Sequence, residues 1–406
     1  MRRAGGFLAA VLAVALVLPV QASAEERPGW KVRIDEITRG KDVGVSVRLQ
    51  GRPLYARDPY QRRVPASNEK LLLTMALYDA VSPGSTIITS AAAKVRTKGT
   101  IEGNLWVIGR GDPSVTGGAR FGKQLPFRPS HLALLARRLH NNGIRRVTGR
   151  VKGAIAYFSH DWWARGWESH FASTYAPLAS GLSFEGNRDD NGRHISDPEV
   201  RAARYLTRRL RALGVRVAHE AGAGSLPGGT KPLASITSVR LYEFVGYSNR
   251  KSSNYFAETL GKRLSVASGV RPGTIAGGGR AIERWASARG VNVTAYDGSG
   301  LSYDNRVSPA GMTVLLEKVR VSRNFNPVRL SLPRGGQGTL DNRLTDVLVR
   351  AKTGTLKGKS ALSGYVYLER PGRWASFSIL SKGTSKATAV EMENRIVRVL
   401  AERANH

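Results

Sequence analysis

Between Val347 and Leu380 the chain reads VLVRAKTGTL, SALSGYVYLE and RWASFSIL, three alternating, β-branched runs separated by only a few residues. Connections this short cannot carry a crossover, so the runs form an antiparallel meander. A helical pattern follows from about Lys386 to Ala404, with Val390, Ile396, Val397 and Leu400 on one face. A meander cannot bury an apolar face alone, and a helix placed directly after it is the natural cover. The expected fold class is therefore α/β (α+β), an antiparallel sheet flanked by helices.

The other strands of that sheet are sought near the start, where Trp30 to Ala56 reads as extended chain and DVGVSVRL alternates. A helix is expected from Ser67 to about Ala80, with Leu71, Leu72, Met75 and Leu77 as its buried stripe. SPGST closes it with Pro and Gly. From about Ile87 to Ser235 the texture changes to short glycine-punctuated strands and two amphipathic helices closed by Gly. Helical patterns then return, interrupted by a Gly-rich stretch, Gly277 to Gly279, expected to be a linker. The organisation that follows is a discontinuous domain of residues 25–85 and 235–406 around a mainly β insertion of residues 86–234.

Residues 1–24 fall outside this plan. Arg2 and Arg3, the apolar run Phe7 to Val20 and the small residues Ala22-Ser23-Ala24 have the order of a secretory signal. Export frames the rest of the composition. There are no cysteines, so disulfides, thiol nucleophiles and thiolate metal sites are excluded. The formal net charge of +33 implies a polyanion nearby. Outside the cytoplasm that means an anionic wall polymer or membrane surface, not nucleic acid. Much of the charge lies in the insertion, where Arg110 to Lys152 holds ten basic residues against Asp112 alone. The seven histidines show no metal-ligand spacing, so no metal and no cofactor are expected.

Three short motifs carry the chemistry. Ser67 and Lys70 form S-x-x-K at the start of the apolar helix. Ser252 and Asn254 form S-x-N between two helical segments. Lys352, Thr353 and Gly354 form K-T-G on the first strand of the meander, followed by Thr355. Each has an ordinary reading alone: a helix cap, a turn, a surface lysine. Their order and setting favour chemistry. Residues three apart share a helical face, so Lys70 lies beside the Ser67 hydroxyl. A serine needs such a base to become a nucleophile, and a lysine serves once burial and a second positive charge lower its pKa. Lys352 is the candidate for that charge. The backbone N–H groups of Ser67 and Thr355 are candidates for an oxyanion hole.

The trio is that of serine β-lactamases and penicillin-binding proteins. With PASNEKLLL, KSSNYFAETL, DGSGLSYDNRVSP and AKTGTLKGKSALSGYV, nearly the whole chain resembles the D-alanyl-D-alanine carboxypeptidase/endopeptidase family of class C low-molecular-mass penicillin-binding proteins. The 185 residues between Ser67 and Ser252 match that family's long insertion, for which compact β-lactamases have no room. The resemblance implies cleavage of peptidoglycan stem peptides ending in D-Ala-D-Ala, with β-lactam antibiotics as acylating inhibitors. It implies Ser67 as nucleophile, Lys70 as base and Ser252 as proton relay. Asn254 would bind the substrate amide, Lys352 act electrostatically, and Thr353 and Thr355 hold the terminal carboxylate. Asp297-Gly298-Ser299-Gly300 is expected to be a turn without a chemical role. One departure stands out: Ser253 replaces the family's usual Asp. The rival readings are a β-lactamase of the same fold and an inactive cationic wall-binding protein.

Overall fold

The computed structural model describes residue 1 and residues 28–369 and 371–402. The expected signal segment lies outside the described residues. Val349–Leu356, Lys359–Leu368 and Arg373–Lys382 form the meander. Val43–Leu49 joins Arg373–Lys382, and Arg52–Arg57 completes a five-stranded, wholly antiparallel sheet. The meander and the fold class are as the alternation predicts.

One face of this sheet is covered by Gly29–Thr38 and Lys386–Glu402, which pack together with Val45, Val366 and Phe377. The first of these helices corrects the expectation of strand from Trp30. Trp30, Ile34 and Ile37 recur at helical spacing and are the apolar residues it buries. The other face carries the larger core, built from the helices Glu69–Ala80, Leu241–Lys251, Asn254–Ala267, Ile275–Ser287 and Pro309–Arg320. Glu69–Ala80 is central and buried on all sides from Glu69 to Tyr78, not along one stripe.

Gly277 to Gly279 are no linker; they lie inside the Ile275–Ser287 helix. A Cβ on Gly278 would sit 2.6 Å from the Gly261 carbonyl oxygen, and one on Gly279 2.1 Å from that of Ala295. The glycines let this helix approach Asn254–Ala267 at backbone contact. Their helix-weakening effect is offset by the packing they permit.

Residues 88–237 hold two further sheets. One is five-stranded, in the order Gly222–Gly224, Val151–Ala154, Leu105–Ile108, Ile88–Ala93 and Lys231–Thr237; the other has four short strands. The helices Leu132–Asn141 and Pro198–Ala212 cover them around a separate core. Part of this region returns to the main body. Lys262, fully buried on Asn254–Ala267, donates to the carbonyls of Ser159, Asp161 and Ala179, each at 2.9 Å, and pairs with the Asp161 carboxylate at 2.7 Å. The segment around residues 159–179 is thereby fixed against the helix that carries Asn254.

Candidate active site

Every residue from Arg63 to Tyr78 is buried except Ser67, which is partly open. The cause is local. Ala66–Asn68 is a single 3₁₀ turn ahead of the α-helix, and Ala66 has φ +46°, uncommon for a residue with a Cβ. Gly300 holds it there: a Cβ on Gly300 would fall 1.9 Å from the Ala66 carbonyl oxygen. Ser67 caps nothing with its side chain, so its hydroxyl is free for other use.

Lys70 lies one turn on, and its Nζ donates to Ser67 Oγ at 3.0 Å. It also donates to Asn254 Oδ1 at 2.8 Å and to the Ser299 carbonyl. Burial lowers the Lys70 pKa to about 8, against the pull of Asp297, Glu258 and Glu69. Lys352 Nζ donates to Ser252 Oγ at 2.9 Å and to the Thr353 carbonyl at 2.8 Å. Burial holds Lys352 well below the ordinary lysine range, and the charges of Lys70 and Lys386 add to the effect. The structure thus brings together two serine–lysine pairs, Ser67–Lys70 and Ser252–Lys352, with Asn254 beside the first.

Ser252 ends the Leu241–Lys251 helix in the left-handed region, φ +54°. Such strain persists only where the surroundings hold it and concentrates at functional sites. Ser253, at the position where the family usually has Asp, is the N-cap of Asn254–Ala267 and accepts from Phe256 N at 3.4 Å. Aspartate is also a good cap, so the exchange keeps the local structure. Asn254 Nδ2 donates to the Tyr175 carbonyl at 3.2 Å, which joins the site to the 159–179 segment.

Thr353 is buried and its Oγ1 bonds Thr339 Oγ1 at 2.8 Å, while Thr355 is exposed. Their strand is an edge of the sheet. Ala351 N leaves the sheet to bond Pro333 O at 3.1 Å. Alternate residues along a strand share that direction, so the Thr355 N–H also faces outward. Ser67, Ser252, Thr339, Arg343, Thr353, Thr355, Lys386 and Val390 line one cleft of about 480 Å³. A larger hollow of about 620 Å³, in the region of the two smaller sheets, is lined by residues such as Glu185, Asp189, Arg201 and Tyr205 and contains none of the motif residues.

Sequence reasoning missed several neighbours. Asn68 Nδ2 donates to the Lys352 carbonyl at 3.0 Å and ties the 3₁₀ turn to the K-T-G strand. The expected turn from Asp297 to Gly300 does more than turn, because its Ser299 carbonyl receives the Lys70 ammonium. Asp297 braces it, accepting from Trp167 Nε1, Gly300 N, Ser302 N and Asn305 Nδ2 at 2.7–2.9 Å. Trp167 is thus a core residue, whereas Trp163 is 54% exposed. Glu69 is fully buried with neither carboxylate oxygen hydrogen-bonded, and burial pushes its pKa well above the carboxylate range. Thr339, Arg343 and Lys386 carry no local signal; folding alone brings them to the cleft.

Gly354 has a steric reason. A Cβ there would meet the Pro65 carbonyl oxygen at 2.7 Å, and Asn68 Nδ2 and Ala361 Cβ at 3.0 Å. Gly354→Ala is expected to destabilise the fold by about 1–3 kcal/mol through overpacking. It should also slow acylation, because the strand must move away from Ser67. Denaturant unfolding and a penicillin-labelling time course check both effects; unchanged values in both would show that the contact is not needed.

A serine–lysine pair at a helix start, a second pair closing over it from a sheet edge, and helices on both sheet faces define the class of serine acyl-transfer enzymes that includes penicillin-binding proteins and serine β-lactamases. The signature of the D-Ala-D-Ala carboxypeptidase 3 (S13) family matches residues 33–189 and 177–403, and the chain belongs to that family. It is 25% identical to a D-alanyl-D-alanine carboxypeptidase of Actinomadura sp. (strain R39), over 92% of this chain and 83% of that one. It is 27% identical to carboxypeptidase DacB of Mycolicibacterium smegmatis, over 88% of this chain and 78% of that one. Among solved structures, penicillin binding protein 4 of Haemophilus influenzae has the same fold, with a TM-score of 0.76 and 20% identity over 91% of this chain and 99% of that chain. The expectation of a serine-type D-Ala-D-Ala carboxypeptidase is borne out at the level of family and fold.

Proposed function

We propose that this enzyme is exported and removes the terminal D-alanine from peptidoglycan stem peptides through an acyl-enzyme on Ser67. The observation that carries the reading is the single open hydroxyl in a buried run, with Lys70 Nζ 3.0 Å from it. Neutral Lys70 takes the Ser67 proton as Oγ attacks the carbonyl of the penultimate D-alanine. The N–H groups of Ser67 and Thr355 stabilise the oxyanion. Ser252, polarised by Lys352, passes its proton to the leaving nitrogen as the C–N bond breaks to release D-alanine, and it takes in return the proton that Lys70 removed from Ser67, which leaves Lys70 neutral. Water then attacks the ester while neutral Lys70 accepts its proton, and Lys70 returns that proton to Ser67 Oγ as the C–O bond breaks, which frees the shortened peptide and restores Ser67.

Asn254 holds the substrate amide. Thr353 and Thr355 take its terminal carboxylate, with Lys386 adding a cation at that end of the cleft beside Arg343, which is paired with Glu393. Residues 86–234 act as an inserted domain whose arginines bind an anionic wall polymer. No helix among the described residues is long and apolar enough to cross a membrane. β-Lactams acylate the same serine.

The experiment is to incubate the enzyme with a synthetic pentapeptide ending in D-Ala-D-Ala, with a D-alanyl cross-linked dimer and, separately, with labelled penicillin. Free D-alanine and a long-lived adduct on Ser67 are expected. Splitting of the dimer would add endopeptidase activity. Rapid turnover of penicillin would identify a β-lactamase. Neither product nor adduct would leave an inactive wall-binding protein.

A further inference from the structure

Four arginines gather behind the cleft, each without an ion pair among the described residues. Arg350 lies two residues before Lys352 on the Val349–Leu356 strand, so both side chains leave the same face, ~7 Å apart along the strand. Arg334 faces Arg350 directly, in an isolated antiparallel bridge. Like charges opposed in this way are destabilising unless something bridges them. Arg250 lies two residues before Ser252, in the last turn of Leu241–Lys251. Arg329 is held by two rings, 4.9 Å from Trp374 and 5.4 Å from Phe325, and its buried Nε has no hydrogen-bond partner.

Among the described residues none of the four has an ion pair. Nearby Arg320 and Arg343 do, with Glu317 and Glu393. The hydrogen bonds the four side chains make are to neutral oxygens: Arg350 Nη1 to Leu332 O at 3.3 Å and Arg329 Nη2 to Asn326 Oδ1 at 3.1 Å. Burial lowers the Arg350 pKa, and the charges of Arg329, Arg334 and Arg250 lower it further. The acid nearest Arg250 in sequence, Glu243, lies seven residues earlier on the same helix, and its effect on Tyr78 opposes that of Arg250.

We propose that Arg250, Arg329, Arg334 and Arg350 form a binding site for a phosphate group, placed behind the Ser252–Lys352 pair. Several neighbouring guanidinium forks suit an oxyanion with three or four oxygens, because each fork supplies paired, charge-assisted donors. Stacking on Trp374 and Phe325 fixes one fork in advance, which reduces the ordering cost on binding. The phosphate is either free or part of a polymer phosphodiester.

The test uses the full enzyme in buffers of equal ionic strength, with sodium phosphate replacing sodium chloride. Wild type is expected to show a saturable rise in Tm and a matching calorimetric isotherm. Arg334→Ala, at an exposed position, and Arg350→Gln should each weaken phosphate binding roughly tenfold, about the loss of one charge-assisted contact. Both should still be labelled by penicillin at the wild-type rate, which shows that they are folded. A poly(glycerol phosphate) chain that binds and is displaced by phosphate identifies the phosphodiester as the occupant; phosphate binding alone identifies the free ion. An equal Tm in chloride and phosphate, or an undiminished phosphate response in both variants, overturns the site. These readouts do not depend on the acylation chemistry, so either reading can fail alone.

Discussion

Ser67→Ala is expected to abolish covalent labelling by penicillin and to lower D-alanine release by about 10³-fold or more, the usual scale for removing a nucleophile. Folding should be nearly unaffected. The hydroxyl is partly open, and among the described residues its one hydrogen-bond partner is Lys70. A change in Tm of no more than a few degrees is expected, since surface-accessible substitutions are usually small in effect. Ser252→Ala separates the two serines. It removes one of the two partners of Lys352 but leaves Ser67 and Lys70 in place, so a slower adduct should still form on Ser67. Peptide mapping of the labelled proteins decides the matter. An adduct that survives in Ser67→Ala, or one mapped to Ser252, would end the assignment of Ser67 as nucleophile.

The sequence showed the motif residues clearly but not why they are held as they are. The meander and the Lys386 helix were legible because period-two and period-3.6 patterns are local. The helix Gly29–Thr38 was legible too, through Trp30, Ile34 and Ile37, but its proximity to the alternating strand drew the strand reading over it. Gly277 to Gly279 misled for a different reason. Glycine weakens an isolated helix, and only the tertiary contact with Gly261 and Ala295 shows what its missing side chain is for. The Ser299 carbonyl could not have been found by residue type, because a backbone acceptor has no signature in sequence. Asn68 was visible beside Ser67, yet its role depends on Lys352, 284 residues away.

The site also places charges in a way composition cannot reveal. Lys70, Lys262 and Lys352 are at most 1% exposed in a chain where most cations face water. Lys262 has a carboxylate partner and is structural. Among the described residues, Lys70 and Lys352 bond only to neutral oxygens of Ser67, Asn254, Ser299, Ser252 and Thr353. A buried ammonium without a direct counter-ion is unstable in its charged form, and that instability makes a base.

Lys352→Met should therefore trade activity against stability. Acylation is expected to fall by about 10²–10⁴-fold, the range for loss of a positioned acid–base or electrostatic group. Stability should hold or rise at neutral pH, because an apolar side chain of similar length replaces a buried cation that lacks an ion pair. The sign follows from the lowered pKa. Below the ordinary lysine value of 10.5 the unfolded chain binds a proton that folded Lys352 resists, so wild-type stability increases as pH rises toward 10.5. The variant loses that contribution and keeps the one from Lys70, which acts between about 8 and 10.5. Its Tm should therefore climb less steeply with pH. The rate profile changes as well. Wild-type acylation should rise about tenfold per pH unit up to about 8 and then level off, as Lys70 loses its proton. Burial, opposed by Asp297, Glu258 and Glu69, sets the Lys70 pKa, so in the variant that limb should stay near pH 8 while the plateau above it falls. Thermal melts and penicillin-labelling rates from pH 6 to pH 10 measure both effects. Labelling within tenfold of wild type at every pH would remove Lys352 from the chemistry, and a variant several degrees less stable at pH 7 would show that its ammonium is a structural anchor.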